Sequence, residues 1–182
     1  SSTTGNITIT GTTNGNTFGA DIYGNVSSTT GNISIAGNGG SSTYGLYLSK
    51  NVTSTSGNIT LTGQGSGTWG LYDVGTTISS AGNISLFSDA QMRVNANVYS
   101  YGAGNALVFK SNGSIQNNPA SQTIQTNNGS LVFWTNANGS TTAGRVLFDN
   151  DVVTLNTANG SANQTSGGGN IIIGGGTAVD TN

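Results

Sequence analysis

The stretch Gly5-Asn6-Ile7-Thr8-Ile9 decides the fold of this chain, because close copies of it recur at residues 31–35, 57–61 and 82–86. The asparagines of these copies are 26, 26 and 25 residues apart, and such a period is typical of stacked repeat proteins. In each copy, isoleucine or leucine alternates with threonine or serine, and this period of two predicts a β-strand. We call the four asparagines the corner asparagines; they are Asn6, Asn32, Asn58 and Asn83.

The copies belong to longer units that align nearly end to end over residues 1–26, 27–52 and 53–78, with a looser continuation over residues 79–182. Each unit contains about three short strands separated by glycine-rich turns. A single unit cannot bury its apolar side alone, whereas stacked units can. The sequence therefore predicts one all-β domain over residues 1–182, a parallel β-solenoid with about 25–26 residues in each turn, or rung, and about seven rungs.

The composition argues against several classes of protein. Charged residues make up 5% of the chain, the net charge is −2, and cysteine and histidine are absent. Because the four lysines and arginines lie far apart in the sequence, they form no basic cluster to neutralise phosphates, and we expect no nucleic-acid partner. No apolar run reaches the roughly 18 residues of a membrane-spanning helix, so we expect no membrane insertion. Without histidine, glutamate or cysteine, most nucleophile–base pairs are missing, and we expect no enzyme and no catalytic, cofactor or metal site.

The corner asparagines admit two interpretations. Glycine followed by asparagine tolerates left-handed backbone angles, which suits a corner, and stacked amides can hydrogen-bond from rung to rung. The same asparagines begin Asn-x-Ser/Thr sequences, which are acceptors for N-linked glycans. We favour the structural interpretation, in which a buried ladder of amides could not carry glycans. An intact-mass measurement separates the two.

Aromatic residues recur in the later part of each regular unit, and Phe18, Tyr44 and Trp69 are each followed by glycine. Aromatic rings on the face of a solenoid can stack on sugar rings, whereas buried rings fill the core. We predict that Phe18, Tyr44 and Trp69 fill the core. We predict that Tyr47 and Tyr72 are exposed and available for contacts.

Two further features carry weaker signals. Asp149 and Asp151 alternate along a strand and could bind Ca²⁺ or act as acid and base, although such residues more often end a solvated strand. The segments 117–120 and 160–169 are predicted to be loops, because they are rich in asparagine, glycine and serine and the first contains the single proline.

Units built on Gly-Asn-Ile-Thr strands, with connectors rich in serine, threonine, glycine and asparagine and almost no charge, resemble the repeats of filamentous-haemagglutinin-type bacterial exoproteins. These are adhesins exported by two-partner secretion or as autotransporters. The resemblance covers residues 1–86 well and residues 105–182 loosely. It implies a right-handed parallel β-helix at the bacterial cell surface, which forms a stalk or fibre and contacts cells, glycans or surfaces. Some members of this class carry sugars on Asn-x-Ser/Thr sites.

Two functions fit these features. The first is an extracellular structural and adhesive segment of a large bacterial surface adhesin, which attaches to a host or neighbouring cell surface and its glycans. The second is a structural subunit that polymerises end to end into an extracellular filament or sheath, because open terminal rungs expose unpaired backbone groups. Since the sequence starts and stops within repeat-like sequence, we expect it to be part of a longer polypeptide.

Overall fold

The strands of this protein stack into three parallel sheets of seven, six and six strands, which confirms the predicted all-β solenoid. Six rungs carry a strand in every sheet, and one further strand extends the first sheet. The described part of the chain contains no helix, and thus no helix that could cross a membrane. The computed structural model describes residues 1–15, 17–41, 44–118, 121–139, 144–149, 152–158 and 168–176.

The first sheet contains the repeated Gly-Asn-Ile stretch. Each of its first four strands starts at the isoleucine that follows a corner asparagine, and each strand pairs with the equivalent strand of the next rung. In spatial order the strands are β1 (Ile7–Thr12), β4 (Ile33–Asn38), β7 (Ile59–Gln64), β10 (Ile84–Ser88), β13 (Leu107–Ser111), β16 (Leu131–Thr135) and β19 (Ile171–Gly175).

The second and third sheets complete each rung. The second sheet is built from β2 (Phe18–Ile22), β5 (Tyr44–Leu48), β8 (Trp69–Asp73), β11 (Gln91–Arg93), β14 (Ile115–Asn117) and β17 (Val146–Phe148). The third sheet is built from β3 (Val26–Ser28), β6 (Val52–Ser54), β9 (Thr77–Ser80), β12 (Asn97–Ala103), β15 (Ser121–Asn127) and β18 (Val152–Asn156).

Like residues stack on like inside the solenoid. Ile33 pairs with Ile7 on one side and with Ile59 on the other. Ile35 pairs with Ile9 on one side and with Leu61 on the other. Ile33 is 1% exposed and Ile35 is 0% exposed. Burying one such side chain contributes about 1.5–3 kcal/mol, so each column binds neighbouring rungs together. The two predicted columns are confirmed; they are Ile7, Ile33, Ile59 and Ile84, and Ile9, Ile35, Leu61 and Leu86.

Close backbone contact explains the glycine near the end of each of the first-sheet strands β1, β4 and β7. A Cβ atom added to Gly63, near the end of β7, would lie 2.0 Å from the carbonyl oxygen of Gly70 in β8. In the preceding rung, one added to Gly37 in β4 would lie 2.2 Å from the carbonyl oxygen of Gly45 in β5. No side chain fits at these distances, so the sheets can meet here only through glycine.

A column of buried hydroxyl groups runs through the corner that precedes the first sheet, and the sequence patterns do not predict it. Ser54 is 5% exposed. Its hydroxyl donates to the carbonyl oxygen of Gly31 at 3.1 Å and accepts a hydrogen bond from the backbone N–H of Gly57 at 2.9 Å. Equivalent serines repeat this link between a rung and the preceding one. We call the set the serine column; it contains Ser28, Ser54, Ser80 and Ser100.

Beyond residue 86 the repeat loosens but stacking continues. Met92, Val94, Ala96 and Val98 alternate in the sequence and are all 0% exposed. Asn117, the first residue of the predicted loop 117–120, is instead the last residue of β14 and is 0% exposed, so the prediction is wrong at that position. Residues 119 and 120 and most of 160–169 lie outside the described ranges, so the loops stay predictions there.

Candidate functional site on the outer face of the second sheet

The corner asparagines form a ladder beside the first sheet. Asn6 accepts, through Oδ1, a hydrogen bond from the backbone N–H of Asn32 at 2.9 Å, and Asn32 accepts one from Asn58 at 2.8 Å. Asn58 accepts in turn from Asn83, and Asn83 from Ala106, each at 2.8 Å. These contacts join a side chain to the backbone of the next rung rather than one amide to another.

All four corner asparagines are exposed, so the interpretation of them as a buried ladder is wrong. The hydrogen bonds use Oδ1, whereas an N-linked glycan would be attached to the amide nitrogen. The ladder and the modification are therefore chemically compatible. Because adjacent strands lie about 4.8 Å apart, glycans on consecutive rungs would crowd one another.

A second asparagine ladder lies at the corner before the third sheet, and the sequence analysis missed it. The Oδ1 atom of Asn25 accepts a hydrogen bond from the backbone N–H of Asn51 at 3.2 Å, and that of Asn51 accepts one from Thr77 at 3.0 Å. The signal was present in the sequence, because Asn25 and Asn51 each precede a valine that begins a strand.

Five aromatic rings meet on the outer face of the second sheet, and we call them the aromatic stripe. Tyr47 and Tyr72 stack with centroids 5.7 Å apart and 3° between their planes. The centroid of Tyr44 lies 5.0 Å from that of Tyr72, and the centroid of Trp69 lies 5.6 Å from it. Phe18 lies 5.2 Å from Tyr44. All five residues are partly exposed, so the stripe is a continuous surface of rings across three rungs.

The prediction that Phe18, Tyr44 and Trp69 fill the core is wrong. The fully buried side chains of β5 are Leu46 and Leu48, each 0% exposed. Gly45 and Leu46 are consecutive and both buried, so the alternation in β5 shifts by one residue. Tyr44 therefore faces outward together with Tyr47, and their ring centroids are 5.6 Å apart.

Polar side chains adjoin the stripe on the next rung. The guanidinium carbon of Arg93 lies 5.5 Å from the ring centroid of Tyr72 and 5.9 Å from that of Trp69, which is the geometry of a cation–π contact. Gln91, in the same strand as Arg93, accepts a hydrogen bond from Nε2 of Gln116 at 3.1 Å. The aromatic stripe is thus bordered on the next rung by side chains that donate and accept hydrogen bonds.

The phenol of Tyr47, in the middle of the stripe, is held in its uncharged form by its surroundings. Burial raises the pKa of the Tyr47 phenol, and the neighbouring phenols of Tyr23 and Tyr72 raise it further. Burial also raises the pKa of the carboxyl group of Asp21, which pairs with Tyr47 in the sheet. The surface accordingly suits a ligand that is attracted by polarisable rings rather than by charge.

A polar cleft opens beside the backbone of Trp69, where four rungs turn from the first sheet into the second. Thr68, Asp89, Gln91 and Asn112 are among the residues that line it. The Oδ1 atom of Asp89 accepts a hydrogen bond from the backbone N–H of Gly65, in the neighbouring rung, at 2.9 Å. Burial raises the pKa of the Asp89 carboxyl group. A carboxylate, amides and a hydroxyl in one cleft can bind a ligand with several hydroxyl groups. We call it the Asp89 cleft.

Among the described residues, no group of three or more histidine, cysteine, aspartate or glutamate side chains could hold a metal ion. Of the predicted acidic pair, Asp149 is described and Asp151 lies outside the described residues, so that pair stays a prediction.

Comparison with known proteins identifies no relative: no family model, no curated protein and no solved structure matches the chain. The geometry defines a class, the β-solenoid repeat proteins, and within it a rod with an aromatic stripe on one outer face. The resemblance to filamentous-haemagglutinin-type exoproteins stays a prediction.

Proposed function

We propose that this chain is an extracellular, structural and adhesive β-solenoid segment of a large bacterial surface adhesin, which attaches to host or neighbouring cells or to other surfaces. The observation that carries the proposal is the aromatic stripe. Its rings are partly exposed, although the side chains of the core already fill the inside of the same strands. Aromatic residues grouped on a protein surface are typical of interaction sites.

The rest of the molecule supports a role in display rather than in catalysis. Stacked rungs make a rod in which each rung is held by its neighbours, so a face on the rod keeps its shape without a ligand. The chain carries four basic residues in total, which disfavours nucleic acid as its partner. Glycans and the surfaces that bear them are the partners that we propose.

Attachment of coated beads to bacterial and host cells tests the proposal. We expect beads that carry the protein to attach, and we expect Tyr47→Ser combined with Tyr72→Ser to reduce attachment. The matched control is Trp134→Ser, because Trp134 is 37% exposed on the first sheet, away from the stripe. Circular dichroism establishes that each variant is folded. If the double variant attaches as well as the control, the stripe is not the adhesive face.

A second candidate function is a subunit that polymerises end to end, and β19 favours it. This strand lies at the edge of the first sheet, and Ile171, Ile172 and Ile173 are 45%, 45% and 54% exposed. An apolar edge strand is a template for pairing with a further strand. Electron microscopy of the purified chain separates the two functions, because regular fibres support the subunit and monodisperse single rods count against it.

A further inference from the structure

We propose that the Asp89 cleft and Trp69 together form a binding subsite for a neutral pyranose unit of a surface glycan. The inference rests on the proposed adhesive function and adds to it a class of ligand and the residues that recognise it. In this subsite the ring of Trp69 takes the apolar face of the sugar, while Asp89 and the amides of the cleft take its hydroxyl groups.

The chain topology places the cleft directly at the end of the aromatic stripe. Thr68 lines the cleft and precedes Trp69 in the sequence. Gln91 also lines the cleft and is the residue that pairs with Trp69 in the neighbouring rung. The cleft therefore adjoins the backbone of Trp69, and the rings of Trp69, Tyr72 and Tyr44 continue from there along the sheet.

A pyranose ring has one face of C–H groups and a rim of hydroxyl groups, and the subsite offers a counterpart to each. Trp69 is partly exposed although the Arg93 guanidinium lies over its ring, and the part of the ring that remains exposed is an apolar platform. The carboxylate of Asp89 has two oxygens with about four acceptor sites. The backbone N–H of Gly65 uses one of them at 2.9 Å, which holds the carboxylate in place and leaves it able to accept from sugar hydroxyls.

The charges around the subsite favour a neutral sugar. Asp89 lies within the cleft, so an anionic sugar seated there meets a carboxylate. The basic group beside the stripe is Arg93, and its guanidinium lies over the rings of Trp69 and Tyr72. The other named groups of the cleft are amides and hydroxyls, which bind hydroxyl groups without selecting for charge.

Tryptophan fluorescence measures binding at this subsite directly. The chain has two tryptophans, so Trp134→Phe leaves Trp69 as the single reporter. The probes are neutral hexasaccharides (β-1,4-glucan, β-1,3-glucan and α-mannan) and, as the anionic probe, a hexamer of galacturonic acid. We expect at least one neutral probe to change the emission of Trp69 in a saturable manner and the anionic probe to leave it unchanged.

Variants of the cleft separate recognition from folding. Asp89→Asn keeps an oxygen for the N–H of Gly65, and we expect it to weaken binding of the neutral probe by about tenfold or more, as the loss of a hydrogen bond to a charged acceptor does. Trp69→Ala, followed by calorimetry instead of fluorescence, is expected to abolish binding. The matched control is Tyr101→Ala, because Tyr101 is 55% exposed but lies on the third sheet, and it is expected to bind as tightly as the unchanged chain.

The outcomes distinguish this inference from the proposed function. If beads attach to cells but no neutral probe binds, the subsite inference is overturned and the proposed adhesive function stands. The same holds if beads attach and only the anionic probe binds. If a neutral probe binds and Asp89→Asn weakens it while beads fail to attach, the subsite stands and the adhesive function fails. Equal binding by Asp89→Asn, Trp69→Ala and the unchanged chain overturns the assignment of the subsite.

Discussion

Replacing Ser54 by alanine tests the serine column, because it removes one hydroxyl and leaves the backbone unchanged. That hydroxyl donates to the carbonyl oxygen of Gly31 at 3.1 Å and accepts from the N–H of Gly57 at 2.9 Å. Ser54 is 5% exposed, and both glycines are buried. Water therefore cannot readily replace the lost partner.

The expected cost follows from the two groups that lose a hydrogen bond. A buried donor or acceptor without its partner costs about 1–3 kcal/mol, so Ser54→Ala is expected to lower the free energy of unfolding by about 2 kcal/mol or more. The matched control is Thr53→Ala at the adjacent, partly exposed position. Its expected effect is within about 0.5 kcal/mol, as for other surface substitutions.

Urea unfolding followed by circular dichroism measures both effects, since equal slopes allow the midpoints to be compared. Hydrogen exchange then localises the change, and the amide of Gly57 is expected to lose protection first in Ser54→Ala. If Ser54→Ala and Thr53→Ala shift the midpoint equally, the hydroxyl does not link the rungs and the reasoning is refuted.

Three further predictions concern other parts of the rod. Ile33→Asp places an unpaired charge in a core column and is expected to cost several kcal/mol; an unchanged circular-dichroism spectrum and melting temperature would contradict the inward assignment. Burial raises the pKa of Asp73, so its contribution to stability is fully present below the ordinary pKa of aspartate and is lost as the pH rises through the raised value. As the pH falls from 7 to 4, the urea midpoint of the unchanged chain is thus expected to rise relative to that of Asp73→Asn. For the corner asparagines we expect the unmodified intact mass, and a mass higher by whole sugar units would show glycosylation.

The sequence predicts the parts of this fold that repeat. A strand at a fixed interval specifies which residues stack, because the same apolar position recurs in each rung and only stacking buries it. This is why the columns through Ile33 and Ile35 could be assigned in advance, together with the parallel sheets.

The parts that could not be predicted depend on departures from the pattern. The outward position of Tyr44 follows from two consecutive buried residues in β5, which a strict alternation does not anticipate. Ser54 belongs to a tetrad of serine and threonine that suggests an exposed turn, and its burial depends on glycine carbonyls of another rung. The Asp89 cleft combines residues of four rungs at corners where their sequences differ, so no single unit carries its signal.

The parallel pairing of successive rungs has a mechanical consequence. Hydrogen bonds between neighbouring strands run along the axis of the rod, so a pull on its ends loads the rung interfaces in series. Within one rung interface the sheets contribute unequally: β11 and β14 share two residue pairs, whereas β10 and β13 of the same two rungs share five. A rung of about 25 residues that peels away releases about 80 Å of chain. A rod fixed at both ends would thus lengthen in steps under load, one rung at a time, before it broke.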